Sequence, residues 1–306
     1  MSKRTLPLLV VLLLAVASYY AFTQMSPTPP EEEDGDVVEW ESIRIAAFNV
    51  QVFGKTKREK EDVMGYLALI AREFDVVLIQ EIRDASGETA PSYLALINQA
   101  GGPAYAYVES PRLGRTTSKE AYAYFYNTES VELIEGSECV YNDTGEVFER
   151  EPFIAGFRSG GFDFTLVGIH TKPDDAYNEI GNLTLVVQSI LDGDPQEGDV
   201  IVLGDFNADG SYFDEGDTGN PLRDPAYFWV VADEVDTMTK TDWTYDRMVM
   251  TNATHGWEYV EGSASVLYFD DEYGIEDPEL VWAISDHYPI YAEFRTDLAD
   301  DDLPGP

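Results

Sequence analysis

The sequence is poor in cysteine, in basic residues and in histidine. One cysteine, Cys139, in 306 residues excludes any internal disulfide and argues against a cysteine-ligated zinc site, leaving the thiol as small apolar filler. Lysine and arginine number 19 against 58 aspartates and glutamates, which gives a formal charge of −39 and a pI near 4.1. A surface this acidic keeps a protein soluble at high salt, where self-repulsion is screened within a Debye length of about 3 Å at 1 M. The charge as a whole is therefore expected to be a salt-adapted surface. A cationic or metallic partner is expected only where acids cluster with His and Asn. With 44% hydrophobic and 13% aromatic residues, the chain can bury one large core or two modest ones.

Long apolar runs are also scarce, and the one present lies at the start. MSKR precedes TLPLLVVLLLAVASYYAFTQ, so residues 1–24 are expected to be a secretory signal or an N-terminal membrane anchor. Ala15-Val16-Ala17 offers a cleavage site, and Leu6 to Phe22 is long enough for a marginal span. Residues 25–37 are acidic and Pro-rich and read as a solvated linker, and 297–306 read as an acidic tail. The body between, 38–296, shows no repeat and no second linker, and is expected to be one domain. The sequons at Asn142, Asn182 and Asn252 are compatible with export.

Within that body, short runs rich in β-branched residues predict strands at 43–50, 76–82, 121–127, 164–170, 200–206, 247–251 and 290–295. Helical spacing appears over Glu61–Glu73 (Val63, Leu67, Ile70) and Ile180–Leu191 (Leu183, Val187). The mixture predicts a layered α/β fold with buried strands.

Polar residues recur where these runs end: Asn49, Glu81, His170, Asp205 and Asn207, with Asp246 and Asp286-His287 just ahead of the last two. Singly, each has an ordinary explanation, because Asn and Asp make turns and a lone His usually packs. Together they form an inventory of acids, amides and imidazoles at one strand end after another, where layered α/β proteins place ligands. Oxygen donors such as Glu81, Asn49, Asp205, Asn207 and Asp286 suit Mg²⁺ or Ca²⁺. Two imidazoles, each beside a carboxylate, suit general acid and base work. Hydrolysis of a phosphodiester needs this combination.

The stretches FNVQVFG (48–54), VLIQEIRD (77–84), PRLGRTTSKEAY (111–122), GIHTKPDDAYNEI (168–180), LGDFNADGSY (203–212), TYDRMV (244–249) and AISDHYP (283–289) carry a resemblance. Their order resembles the endonuclease/exonuclease/phosphatase superfamily, and LGR..SKE, HTKPDDA and SDHYP look specifically like its secreted deoxyribonuclease I type. The resemblance covers Ile43 to Phe294. It implies a four-layer α/β sandwich, with two central, mostly antiparallel sheets face to face and helices outside. It also implies His170 and His287 as acid and base, oriented by Glu120 and Asp246. Glu81 and Asn49 would hold one Mg²⁺ or Mn²⁺, while Asp205, Asn207 and Asp286 would line a second position or touch the scissile phosphate.

By the same resemblance Arg83, Arg150 and Tyr245 match DNA-contact positions, and Arg112, Arg115 and Lys119 could add phosphate contacts. Two positions depart from the family: Gln51 stands where an arginine is usual, and Ser118 where a minor-groove tyrosine is usual. Gly210 and Trp243 stand where one family disulfide would close. Structural Ca²⁺ is expected at Asn142, Asp143, Glu146 and Glu151, and at Asp236, Thr237, Thr239 and Thr241, although acidic turns alone would give the same residues. The expected protein is a monomeric, metal-dependent DNA endonuclease, secreted or anchored outside the cell by its N-terminal segment, with no obligate protein partner. The competing readings are a phosphodiesterase of the same fold acting on a phospholipid, sphingomyelinase-like, and an inactive binding module.

Overall fold

The computed structural model describes residues 41–300. The expected leader and linker, and most of the acidic tail, lie outside the described residues. Among the described residues no helix is long and apolar enough to cross a membrane.

The described residues run through thirteen strands: β1 (Ser42–Phe53), β2 (Val76–Ile82), β3 (Tyr105–Glu109), β4 (Ala121–Asn127), β5 (Glu132–Leu133), β6 (Cys139–Val140), β7 (Phe153–Ser159), β8 (Phe162–Gly168), β9 (Val200–Asp205), β10 (Tyr227–Trp229), β11 (Asp246–Thr251), β12 (Ser265–Val266) and β13 (Ile290–Arg295). The four longest helices are α1 (Glu61–Ala71), α2 (Thr89–Gln99), α3 (Ala176–Gly193) and α4 (Pro278–Ile284).

Six strands form one sheet in the order β12-β13-β1-β2-β4-β3, and a second sheet runs β10-β11-β9-β8-β7-β5, with β6 also on β7. Only β1–β2 and β8–β9 are parallel; the other pairings are antiparallel. A period of two places alternate side chains on opposite faces, and the second sheet follows it. Leu166, Ile201, Leu203, Met248 and Met250 join the core shared with the first sheet. Their neighbours Val167, Val200, Val202 and Val249 face a second core, built with Ile180, Leu183, Val186 and Val187 of α3. On the outer side of the first sheet, Val63, Leu67 and Ile70 of α1 and Ile97 of α2 are buried. Helix, sheet, sheet and helix make the four layers of the expected sandwich.

Two polar devices join the sheets at the end where β1, β2 and β9 finish. Gln80, fully buried, donates from Nε2 to Ile169 O at 2.6 Å and accepts from Asp205 N at 3.1 Å through Oε1. Gly204, at φ +135°, lets the backbones approach, since a Cβ there would lie 2.2 Å from Ile169 O and 2.6 Å from Gln80 Nε2.

Candidate active site

The side chains singled out at strand ends meet at this end of the two sheets. β1 delivers Asn49, β2 Glu81, β9 Asp205 and β11 Asp246, while the turns after β8 and before β13 deliver His170 and His287. The strands do not end regularly. Pairing between β1 and β2 shifts register between Asn49 and Phe53, and positive φ occurs at Gln51, Val52, Glu81 and Asn207. Each such residue costs on the order of 1–3 kcal/mol of backbone strain. The irregularity re-aims side chains that strict alternation would send to opposite faces.

Each imidazole is held by a carboxylate behind it. His170 Nδ1 lies 2.7 Å from Glu120 Oε1, and His287 Nδ1 lies 2.7 Å from Asp246 Oδ2. The two Nε2 atoms then converge on one oxygen, Asp205 Oδ2, at 3.4 Å from His170 and 3.6 Å from His287. The same oxygen accepts a hydrogen bond from Asn49 Nδ2 at 3.0 Å. All of these groups are buried. The adjacent residues Asp286 and His287 are divided between partners: Asp286 Oδ2 accepts from Gln51 Nε2 at 2.8 Å, while its other oxygen stays 3.8 Å from His287 Nε2. Ser285 Oγ fixes the turn by donating to Asn49 O at 2.6 Å and accepting from His287 N at 3.1 Å.

The two rings differ electrically. Burial opposes the charged form of His287, but Asp246, Asp205 and Asp286 outweigh it and push its pKa up to about 10. His170 is also raised: burial and the neighbouring Arg150 oppose its charge, and Glu120 and Asp205 favour it. Asp205 is held below the usual carboxylate range, because the two imidazoles outweigh its burial. Burial moves Asp246 the other way, upward, against the pull of His287.

The donor set fits a hard divalent cation. Five carboxylates, Glu81, Glu120, Asp205, Asp246 and Asp286, meet here, with Arg83 and Arg150 paired to two of them and Lys57 nearby. Ligand atoms of Glu81, Glu120 and His170 lie within 4.8 Å of one another, as do those of Asp205, Asp246 and His287. Glu120 and Asp246 are already bonded to ring nitrogens, so Glu81, Asn49, Asp205 and Asp286 offer the remaining oxygens. Glu81 accepts from Val52 N at 2.7 Å, pairs ionically with Arg83 at 3.0 Å, and retains lone pairs. Asn49 directs its amide nitrogen toward Glu81 and Asp205 and its oxygen toward Gln51 N, so ligation by Oδ1 requires the amide to turn over. Asn207 donates from Nδ2 to Thr171 O and from its backbone to Asp205 Oδ1.

The expected rim divides. Arg83 is partly exposed between Glu81 and Glu120, Tyr245 is half-buried beside Tyr212 and Trp243, and Arg112 and Lys119 are exposed and joined by a bond from the guanidinium to Lys119 O. Arg150 differs from its expected place: only 6% exposed, it donates to His170 O at 3.0 Å and Thr171 O at 2.9 Å and sits behind the histidine. Arg115 differs too, because its guanidinium closes on Asp143 at 2.5 Å and on Glu146 O.

That clamp also bears on the expected calcium residues. Asp143 accepts from Val147 N and Phe148 N as well as from Arg115, so a guanidinium supplies the positive charge in that loop, with Glu151 half-buried beyond it. In the other loop Asp236 accepts from Met238 N, and Thr237 Oγ1 donates to Trp243 O and accepts from Tyr245 N. Thr239 Oγ1 donates to Ser285 O, and Thr241 is exposed. Thr237 and Thr239 thereby support the turn that carries His287.

Sequence reasoning passed over Gln80 and Ser285. Gln80 carried a signal, being the one amide in the apolar run VVLIQEI. The third histidine, His255, stacks on Phe228 at 3.9 Å and takes no part in the cluster.

Residues 46–287 match the Endonuclease/Exonuclease/phosphatase family. The chain is 36% identical over 261 residues to Deoxyribonuclease-1 of Bos taurus, covering 81% of this chain and 91% of that protein. It is 32% identical over 271 residues to Deoxyribonuclease gamma of Homo sapiens, covering 84% and 88%. Among solved structures, the endonuclease/exonuclease/phosphatase from Bacteroides vulgatus superposes with a TM-score of 0.58 at 15% identity, covering 83% of this chain and 99% of that one, a likeness of fold.

Proposed function

Since the chain belongs to the Endonuclease/Exonuclease/phosphatase family, we propose that it is a divalent-metal-dependent endonuclease that hydrolyses DNA phosphodiesters with two histidines as acid and base. The observation that carries this reading is the pair of carboxylate-backed imidazoles whose Nε2 atoms flank Asp205 Oδ2 at 3.4 and 3.6 Å.

His287, the ring with only acids around it, is protonated at neutral pH and donates its Nε2 proton to the leaving oxygen. His170, whose charge Arg150 opposes, takes the proton of the attacking water. Glu120 and Asp246 fix the ring orientations and the Nδ1–H tautomers through their 2.7 Å contacts. Glu81 and Asn49, with Asp205, Asn207 and Asp286 lining a second position, would hold divalent cation, which supplies charge stabilisation at the phosphate. Arg83, Tyr245, Arg112 and Lys119 would meet the strand.

A charge of −39 repels a polyanion at low ionic strength, and few basic residues means few counterions released on binding. The reading therefore includes activity that persists or rises with salt, in a protein exported behind its apolar N-terminal segment. The test incubates the protein with supercoiled plasmid, RNA and sphingomyelin in Mg²⁺, Ca²⁺ or EDTA across salt. Nicking of plasmid in Mg²⁺, abolished by EDTA and retained at about 1 M salt, where screening is nearly complete, is the expected result. Hydrolysis of sphingomyelin alone would replace DNA as the substrate. Peak nicking without added salt and steep loss by about 1 M would remove the salt adaptation.

A further inference from the structure

Beside the catalytic cluster, on the Asp286 side, is a cavity of about 450 Å³ lined by Gln51, Val52, Lys57, Lys60, Glu279 and Trp282. The volume falls in the range of about 300–1,000 Å³ that holds small molecules. Two features of its walls are unusual for a surface this acidic. Val52, at φ +53°, is a β-branched residue in a region such residues avoid, and the bulge that strains it leaves the side chain 53% exposed at the mouth. Trp282, on α4, is 40% exposed, with Lys240 Nζ 3.2 Å from the centre of its ring. Trp282 also lines a neighbouring cavity, and Lys240 lines that one and not this one.

Three of the chain's seven lysines, Lys57, Lys60 and Lys240, therefore gather at this corner. Lys57 is buried and donates to Val50 O at 2.9 Å and Ile284 O at 2.8 Å, joining the Asn49 strand to the His287 turn. Lys60 is exposed. The cavity adjoins the active site through Gln51, which stands in its wall and donates to Asp286 Oδ2 at 2.8 Å. The exposed indole suits a flat ring, exposed Lys60 suits a phosphate beside it, and Glu279 repels a phosphate while accepting from amino groups.

We propose that this cavity is a base-binding subsite, in which one nucleobase unstacked from the strand being cut rests on Trp282 against Val52. The inference rests on DNA as the substrate and adds that an unpaired or easily unpaired base next to the cut is favoured over a fully stacked duplex.

Two measurements on the full chain test it. In EDTA, where no cleavage is expected, oligothymidylate should change the tryptophan fluorescence, an abasic strand of equal length should not, and Trp282→Phe should remove most of the change. In Mg²⁺, Trp282→Ala should raise KM for a single-stranded oligonucleotide about ten-fold, the order set by stacking one base on an aromatic ring. Trp282→Phe should recover most of that loss, and KM for an abasic strand should move about two-fold or less, there being no base to stack. Thermal unfolding of each variant shows whether it folds. Equal fluorescence responses to both strands, a full response in Trp282→Phe, or an unchanged KM in folded Trp282→Ala would overturn the subsite. Wild-type protein that fails to nick plasmid yet shows the base-dependent response would overturn the nuclease reading and leave the subsite standing.

Discussion

Removing the charge of Asp246 without removing its shape should convert a broad alkaline activity limb into a steep one. Asp246 is fully buried on β11 with Oδ2 2.7 Å from His287 Nδ1, and it is the largest influence raising that ring's pKa from 6.5 to about 10 against burial. In Asp246→Asn the amide oxygen can still accept from Nδ1–H, so the ring keeps its place. Burial is then opposed only by Asp205 and Asp286, and the pKa falls toward the ordinary 6.5. At pH 8 a ring of pKa about 10 is about 99% protonated and one of about 6.5 about 3%, so loss of the acid alone lowers the rate about 30-fold. The deficit grows about ten-fold per pH unit until the wild-type ring also titrates, and nearly closes by about pH 5.5. Because His170 titrates equally in both proteins, the ratio of plasmid-nicking rates, variant to wild type, isolates His287. The assay is single-turnover nicking in Mg²⁺ from about pH 5.5 to 9, with circular dichroism to confirm folding. A ratio that stays constant across that range would refute the assignment of Asp246 as the group that keeps His287 protonated.

Other consequences follow from buried groups around the site. Gln80→Leu should leave Ile169 O and Asp205 N without their partners, costing about 1–3 kcal/mol for each orphaned group, read as a lower denaturant midpoint together with reduced nicking. Glu179 accepts from Glu149 N at 2.8 Å and Lys172 N at 3.0 Å, yet burial outweighs these bonds and pushes its pKa up to about 7. A raised carboxyl contributes stability that is complete below its unfolded value of 4.5 and is lost as pH rises through about 7. Relative to Glu179→Gln, wild type should lose up to about 3 kcal/mol over that window, at about 1.4 kcal/mol per pH unit. Equal pH dependence of the two proteins in urea unfolding would show that Glu179 stays ionised.

Much of the fold was legible because its strands are buried on both faces, which makes them near-continuous apolar runs. The strands at 76–82, 121–127 and 290–295 fall on the predicted residues. The run ending at His170 was read two residues too long, since β8 stops at Gly168, where a Cβ would meet Tyr124 Oη at 2.8 Å and Leu78 at 2.9 Å. Helix α2 was not anticipated, its sequence TAPSYLALINQ mixing Pro and polar residues with the apolar ones, and β7 was missed around Gly156. At the site, residue identities were readable at strand ends but directions were not. Whether Arg150 reaches outward or back to His170 O depends on tertiary packing, as does the closing of Arg115 on Asp143. The register shift at Asn49–Phe53, which exposes Val52, has no sequence signature of its own.

The central claim is that two imidazoles carry protons in metal-dependent cleavage of DNA. Single-turnover nicking of supercoiled plasmid in Mg²⁺ by wild type, His170→Ala and His287→Ala tests it most directly. The account predicts nicking by wild type that EDTA abolishes, and a loss of about 10²- to 10⁴-fold in each folded variant; near-full activity in either variant would contradict it.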